Sequence, residues 1–207
     1  MRFWGRFYKN TMVDLCLITP TIGRPTLQRT LQSAALGAND EWLVIGDGRQ
    51  EKAGRLVSLM RLSGQFGPTD VQYHQATETK RHGNHQRDTA MAMSDKDYFI
   101  FIDDDDIFVP GALTIIRQAI GSSEPCPWFF RMIDPLGQTL WKNQVIDRGN
   151  VGGSMLVVPN DPARLGRWSD SNGHDSDFLF IERTLKLWQP TPPKWSSEVI
   201  IECKPNE

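Results

Sequence analysis

From residue 13 onward, short apolar runs of strand length alternate with segments whose apolar side chains recur at helical spacing, and glycine or proline marks most of the joints. Residues 13–18 read as a buried first strand. Pro20, Gly23 and Pro25 then make a stiff loop, and Pro25 suits the first turn of a helix over 26–36 that Gly37 stops. The same pattern predicts a strand at 42–45, a helix at 52–62, a strand at 71–74, a helix at 84–93 and a fourth strand at 98–102. Strict alternation of this kind predicts a mostly parallel sheet with crossover helices.

Beyond Pro110 the rhythm changes. A helix is predicted at 112–120, followed by strands at 128–133, 139–145 and 154–158 that read as antiparallel additions to the sheet. A last helix fits 175–187, where Phe178, Ile181 and Leu185 share a face, and the prolines at 190–193 end it before a short strand at 199–201. Without an internal repeat or linker, the chain reads as one α/β domain with residues 1–11 as a leader.

Composition narrows the possible functions. The 207 residues carry 23 Lys and Arg against 25 Asp and Glu, a net charge of -2, so no broad positive field exists to hold nucleic acid by charge alone. With 39% apolar and 23% charged residues the chain can build a core, which excludes disorder, collagen and coiled coil. Cys16, Cys126 and Cys203 are odd in number and show no metal or redox spacing, which predicts a reducing, cytoplasmic setting. The longest apolar run, 98–102, is far short of the roughly 20 residues of a membrane helix. Residues 1–11 mix Arg2, Arg6 and Lys9 with Phe3, Trp4, Phe7 and Tyr8, which suits either a loose leader or a peripheral seat on a lipid surface.

The most informative segment is residues 98–110, an apolar strand that runs into Asp103, Asp104, Asp105 and Asp106. Two like charges about 4 Å apart at an effective dielectric near 20 repel by roughly 4 kcal/mol, so the run needs a counter-cation or wide solvent exposure. Mg²⁺ or Mn²⁺ would supply it, taking one or two carboxylates and substrate phosphates. Asp47 closes another apolar strand, and Thr19, Pro20, Thr21 and Arg24 close the first, so three strand ends face one edge, where open α/β sheets bind ligands. Read alone, an Asp-Gly pair such as Asp47-Gly48 is also a common turn. Lys80, Arg81 and Arg87 gather at a helix start that favours anions such as a pyrophosphate. His174, Asp175 and Asp177 open the last helix, where a carboxylate serves either as a plain helix cap or as a general base.

In this order the segments resemble the family 2 glycosyltransferases, inverting nucleotide-sugar enzymes of the GT-A fold. Residues 17–33 are similar to the family's first strand, loop and helix, and Val44-Ile45-Gly46-Asp47-Gly48 to its second-strand aspartate turn. Residues 83–88 resemble the stretch that usually reads Ala-Arg-Asn, 98–110 the strand, DXD and proline signature, and 152–156 the small-residue strand under the acceptor site. His174-Asp175 stands in the place of the family's Glu-Asp pair. The sequence departs from the pattern at Gly46, Arg49, Asp88 and His174.

The resemblance implies a single GT-A domain with a nucleotide-binding half at about 12–110 and an acceptor-binding half at about 111–190. It implies a hexosyltransferase that moves a sugar from a nucleoside-diphosphate sugar, foremost a UDP-sugar, to a hydroxyl of a glycan, lipid-linked, protein or small-molecule acceptor. Asp47 would bind the base, Thr19, Pro20, Thr21, Arg24 and Arg81 or Arg87 would face the nucleotide, and Asp103 and Asp104 would approach the ribose and the metal's waters. Asp105, with Asp103, would coordinate Mn²⁺ or Mg²⁺, and Asp175 would be the general base. Gly153, Ser154 and His174 would face the acceptor, beside one or two of Trp128, Trp141, Trp168, Trp188 and Trp195. Two other readings share the sheet and the carboxylates: a sugar-phosphate nucleotidyltransferase, which should carry a glycine-rich loop after the first strand, and an inactive nucleotide- or glycan-binding relative.

Overall fold

The computed structural model describes residues 12–64, 66, 70–77, 82–121, 123–171, 173 and 175–203. The predicted leader, Arg81 and His174 lie outside them. The first half runs β1 (Leu15–Thr21), α1 (Leu27–Gln32), β2 (Glu41–Asp47), α2 (Glu51–Leu62), β3 (Asp70–Ala76), α3 (Asn84–Met93) and β4 (Tyr98–Phe101). The second runs β5 (Asp106–Phe108), α4 (Ala112–Ile120), β6 (Trp128–Ile133), β7 (Thr139–Leu140), β8 (Leu156–Pro159), α5 (Ser176–Trp188) and β9 (Lys194–Cys203).

One nine-stranded sheet has the order β3-β2-β1-β4-β8-β6-β9-β5, with β7 added on β6. From β3 to β4 all neighbours are parallel; β8 then joins antiparallel to β4, as do β6 to β8 and β5 to β9, while β6 and β9 run parallel. The fold is therefore mixed α/β, with a parallel sheet from the first half and antiparallel members from the second. Burial explains the strands: Leu15, Cys16, Leu17, Ile18, Phe99 and Ile100 have no exposed surface, as expected of parallel strands covered on both faces. Asp40 ties the start of β1 in place, since its carboxylate accepts the N–H groups of Leu15 at 3.0 Å and Gly37 at 2.6 Å and pairs with Arg117.

Five elements depart from the sequence reading. Helix α1 ends at Gln32 rather than near residue 36, because Ser33 turns to the next layer: its hydroxyl donates to the Thr30 carbonyl and accepts the Phe108 N–H at 2.9 Å. Phe108 lies in β5, a short strand hidden at the end of the aspartate run. The strand expected over 139–145 stops at Leu140, and in the loop beyond it the Asn150 side chain accepts the Lys142 N–H and donates to the Asn143 and Val145 carbonyls. The last strand is ten residues rather than three, because it is paired on both sides, by β6 and by β5. A 3₁₀ turn at Gly153–Met155 takes the first two residues of the strand expected at 154–158.

Candidate donor and acceptor site

The carboxyl ends of β1, β2 and β4 meet the start of α3 around a crevice of about 480 Å³. Pro20, Thr21, Ile22 and Arg24 line it from β1 and its loop, Asp47 from β2, His82, Gly83 and Gln86 from the start of α3, and Asp103 and Asp104 from the end of β4. Thr19 does not join them: it is fully buried, and its hydroxyl accepts the Trp42 indole N–H at 2.9 Å. Gly83 has φ +79°, and a Cβ there would stand 2.7 Å from the Pro20 ring, so glycine lets α3 close against the β1 loop. At Gly46, where the family pattern carries an aspartate, a Cβ would collide with the Tyr73 hydroxyl.

Arginines answer the repulsion in the aspartate run. Arg24 reaches Asp104 at 2.7 Å and Asp105 at 2.9 Å, and the Thr21 hydroxyl donates to the second Asp104 oxygen at 2.6 Å. Arg87, buried, pairs with Asp103, donates to the His82 carbonyl at 2.9 Å and lies 4.6 Å over the Trp168 ring. Trp168, fully buried and stacked on Phe180 at 4.2 Å, is thus a support for Arg87 rather than an acceptor platform. Burial pushes the Asp105 carboxyl above the usual range, opposed by Arg24 and reinforced by Asp103 and Asp104. Asp106 is pushed up to about 7, by burial first and then by Asp103, against a hydrogen bond with Cys203.

Asp103 and Asp105 are hard oxygen donors, and among the described residues no group of three or more acidic, histidine or cysteine side chains converges as a complete metal site. That donor set fits Mg²⁺ or Mn²⁺ held partly by the protein and partly by a diphosphate.

On the acceptor side, Asp175 is the N-cap residue of α5 and pairs with Arg148, whose guanidinium also lies 5.2 Å from the Phe178 ring centre. Asp177 lies deeper: it accepts the Gly153 N–H at 2.9 Å, and burial raises its pKa, opposed by Arg87 and reinforced by Asp103. A Cβ on Gly153 would stand 2.6 Å from the Trp168 ring, so this position packs tightly, while Ser154 is half-buried beside it. Sequence reasoning did not find Gln86, which contacts Asp47, or Arg148. Gln86 had a signal, since it takes the alanine place in the Ala-Arg-Asn stretch; Arg148 had none, being 27 residues from Asp175.

A parallel sheet continued by antiparallel strands, with carboxylates and arginines gathered at the carboxyl ends of its parallel members, is an α/β domain of GT-A type. The sequence matches the profile described as Glycosyl transferase family 2 over residues 16–158, and the chain belongs to that family. No curated protein matches it in sequence. Among solved structures it is similar to S. aureus TarS 1–349 in complex with UDP-GlcNAc, at 12% identity and TM-score 0.74 over 94% of this chain and 59% of that one. The same TarS fragment in complex with UDP gives 13% identity and TM-score 0.70, covering 93% of this chain and 61% of that one. The chain thus spans about three fifths of the TarS fragment it resembles.

Proposed function

We propose that the protein is an inverting, metal-dependent hexosyltransferase that moves a sugar from a UDP-sugar to an acceptor hydroxyl. The observation that carries the reading is the convergence of Asp47, Arg24, Asp103 and Asp104 on one crevice at three strand ends. Similarity to TarS, solved with UDP-GlcNAc and with UDP, supports a uridine nucleotide there. Asp47 faces the base, and Asp103 and Asp104 meet the ribose side. Asp105, with Asp103, would hold Mn²⁺ or Mg²⁺, which when bound neutralises charge growing on the leaving diphosphate.

Asp175 takes the proton of the acceptor hydroxyl. The oxygen forms a bond to the anomeric carbon as that carbon's bond to the diphosphate oxygen breaks, and a single displacement inverts the centre. Among the described residues no helix is long and apolar enough to cross a membrane. We place the reaction in the cytoplasm, with the acceptor a glycan, lipid-linked, protein or small-molecule hydroxyl.

Thermal shift with UDP, GDP, dTDP, CDP and ADP, each with and without Mn²⁺, tests the donor side, because a ligand that binds only the native state raises the melting temperature. The expected result is a Mn²⁺-dependent shift with UDP that Asp105→Ala removes; no shift with any nucleotide overturns the reading. Asp175→Asn should keep UDP binding and lower turnover by about 10²–10⁴-fold.

A further inference from the structure

Arg24, Arg87 and Arg148 each hold an aspartate. Arg131, near the end of β6, is different. It is half-buried, and among the described residues its guanidinium makes no ion pair and no hydrogen bond; its Nε is buried without a partner. The next carboxylate along the chain, Asp134, is taken up by its own turn, where Oδ1 accepts the N–H groups of Leu136 at 2.9 Å and Gln138 at 2.8 Å.

The register of the sheet fixes where Arg131 stands. Ile100 of β4 pairs with Val157 of β8, and Val157 pairs with Trp128 of β6, so these residues form one row. Asp103 and Arg131 each come three residues beyond that row, at the same end of the sheet, because β6, like β4, runs antiparallel to β8. Between them lies the 3₁₀ turn of Gly153–Met155, which packs against both strands. Two strand spacings are about 10 Å, so Arg131 stands beyond the donor carboxylates, across Gly153 and Ser154 from them.

The face is fixed as well. Phe101 and Phe129, one residue past the row, share a face of the sheet, and on it Phe101 meets Trp168 and, in α5, Phe180. The Trp195 ring stacks on Phe129 at 4.7 Å, Trp141 meets Trp195 at 5.1 Å, and the Arg131 guanidinium lies 4.4 Å over Trp141. Arg131 therefore sits on the face that α5 covers, the helix that Asp175 caps.

Stacking uses the flat face of a guanidinium and leaves its in-plane N–H groups, a fork that matches two oxygens of a carboxylate or phosphate. Trp141 is 5% exposed and packed against Trp195, so it holds the cation in one place. A charge drawn partly out of water with no partner is costly, and an anionic ligand would remove that cost. We infer that Arg131 binds an oxyanion of the acceptor, a carboxylate or a phosphate, while the acceptor's hydroxyl is at Asp175. The inference rests on the acceptor-side reading above and deepens it, narrowing the acceptors to acidic ones.

The test is titration calorimetry of the full chain, with UDP and Mn²⁺ present, against three sugars that differ only at C6: methyl glucoside, methyl glucuronide and methyl glucoside 6-phosphate. UDP affinity is measured on the same proteins. The wild type should bind an anionic sugar at least about tenfold more tightly than the neutral one, and the two anions tell carboxylate from phosphate. Arg131→Met keeps an apolar stem over Trp141 and removes the donors; it should erase that ratio while UDP binds as before. Arg131→Lys keeps the charge without the fork and should restore only part of it.

Equal binding of neutral and anionic sugars by the wild type, binding of none of the three, or a ratio unchanged in folded Arg131→Met would overturn the role of Arg131. With UDP still bound, the donor-site reading then stands; a wild type that binds no UDP would sink both. An arginine that merely packs on Trp141 would lower the melting temperature of Arg131→Met without moving the ratio.

Discussion

Carboxylates at the strand ends and at the start of α5 are paired with arginines, but the pairs live in different media. In each strand-end pair one member is buried, Asp104 at 3% against Arg24 at 38% and Arg87 at 6% against Asp103 at 46%, whereas Arg148 and Asp175 are both exposed, at 56% and 54%. At the strand ends the buried members, Asp104 and Arg87, sit against Thr21 and Trp168, where water screens little and leaving either one unpaired is costly. On the acceptor side the pair is bathed in solvent, so separating it costs little. The strand-end pairs are held in place by the fold, while in the proposed reaction Asp175 would give up an exposed arginine to receive an acceptor hydroxyl.

Removing the donor-side cation should break this contrast most visibly. Arg24→Ala leaves buried Asp104 with the Thr21 hydroxyl alone and takes the arginine from Asp105; a loss of about 2–3 kcal/mol in denaturant unfolding is expected, reduced from the fully buried case because Arg24 is partly exposed. An unchanged midpoint would show that the donor wall does not depend on its arginine.

Asp106 sharpens the contrast through pH. Its value of about 7 in the fold lies above its ordinary 3.8, so the native state holds a proton that the unfolded chain has released between those limits. Its contribution to stability therefore falls as pH rises from about 4 to about 7 and is level above. Asp106→Asn should raise the melting temperature at pH 8 and change it little at pH 4; equal shifts at both would remove the buried carboxyl from the explanation.

The smallest effect on stability is expected at the acceptor wall. Arg148→Ala should alter unfolding free energy by no more than about 0.5 kcal/mol, as for most exposed ion pairs. A loss comparable to that of Arg24→Ala would make the two walls alike.

Much of this arrangement was legible in the sequence because burial writes itself in runs: residues 15–18, 42–45 and 98–102 are apolar wherever a parallel strand is covered on both faces. The carboxylates at the strand ends stood out against those runs. What stayed hidden depends on partners distant in the chain. β9 includes Ser196, Ser197 and Glu198, which carry no strand signal and lie in an irregular stretch between Trp195 and Val199, both paired with β6. Helix α1 stops early because Ser33 meets Phe108, 75 residues away. Thr19 looked like a ligand hydroxyl beside Thr21, but its hydroxyl is taken by the Trp42 indole N–H, while Thr21 at the strand's end reaches Asp104. The Arg148–Asp175 and Gln86–Asp47 contacts likewise join segments that no local pattern links.

The pairing of β5 with β9 reaches back to protein synthesis. Asp106, the last of the four aspartates, lies opposite Cys203, and Phe108 opposite Ile201. A ribosome adding about 5–20 residues per second makes β9 roughly 5 to 20 seconds after β5. Until then the strand that follows the four aspartates has no β9 to pair with. The parallel strands β1 to β4 have all been made by that time, so the parallel part of the sheet precedes the strand that closes its far edge.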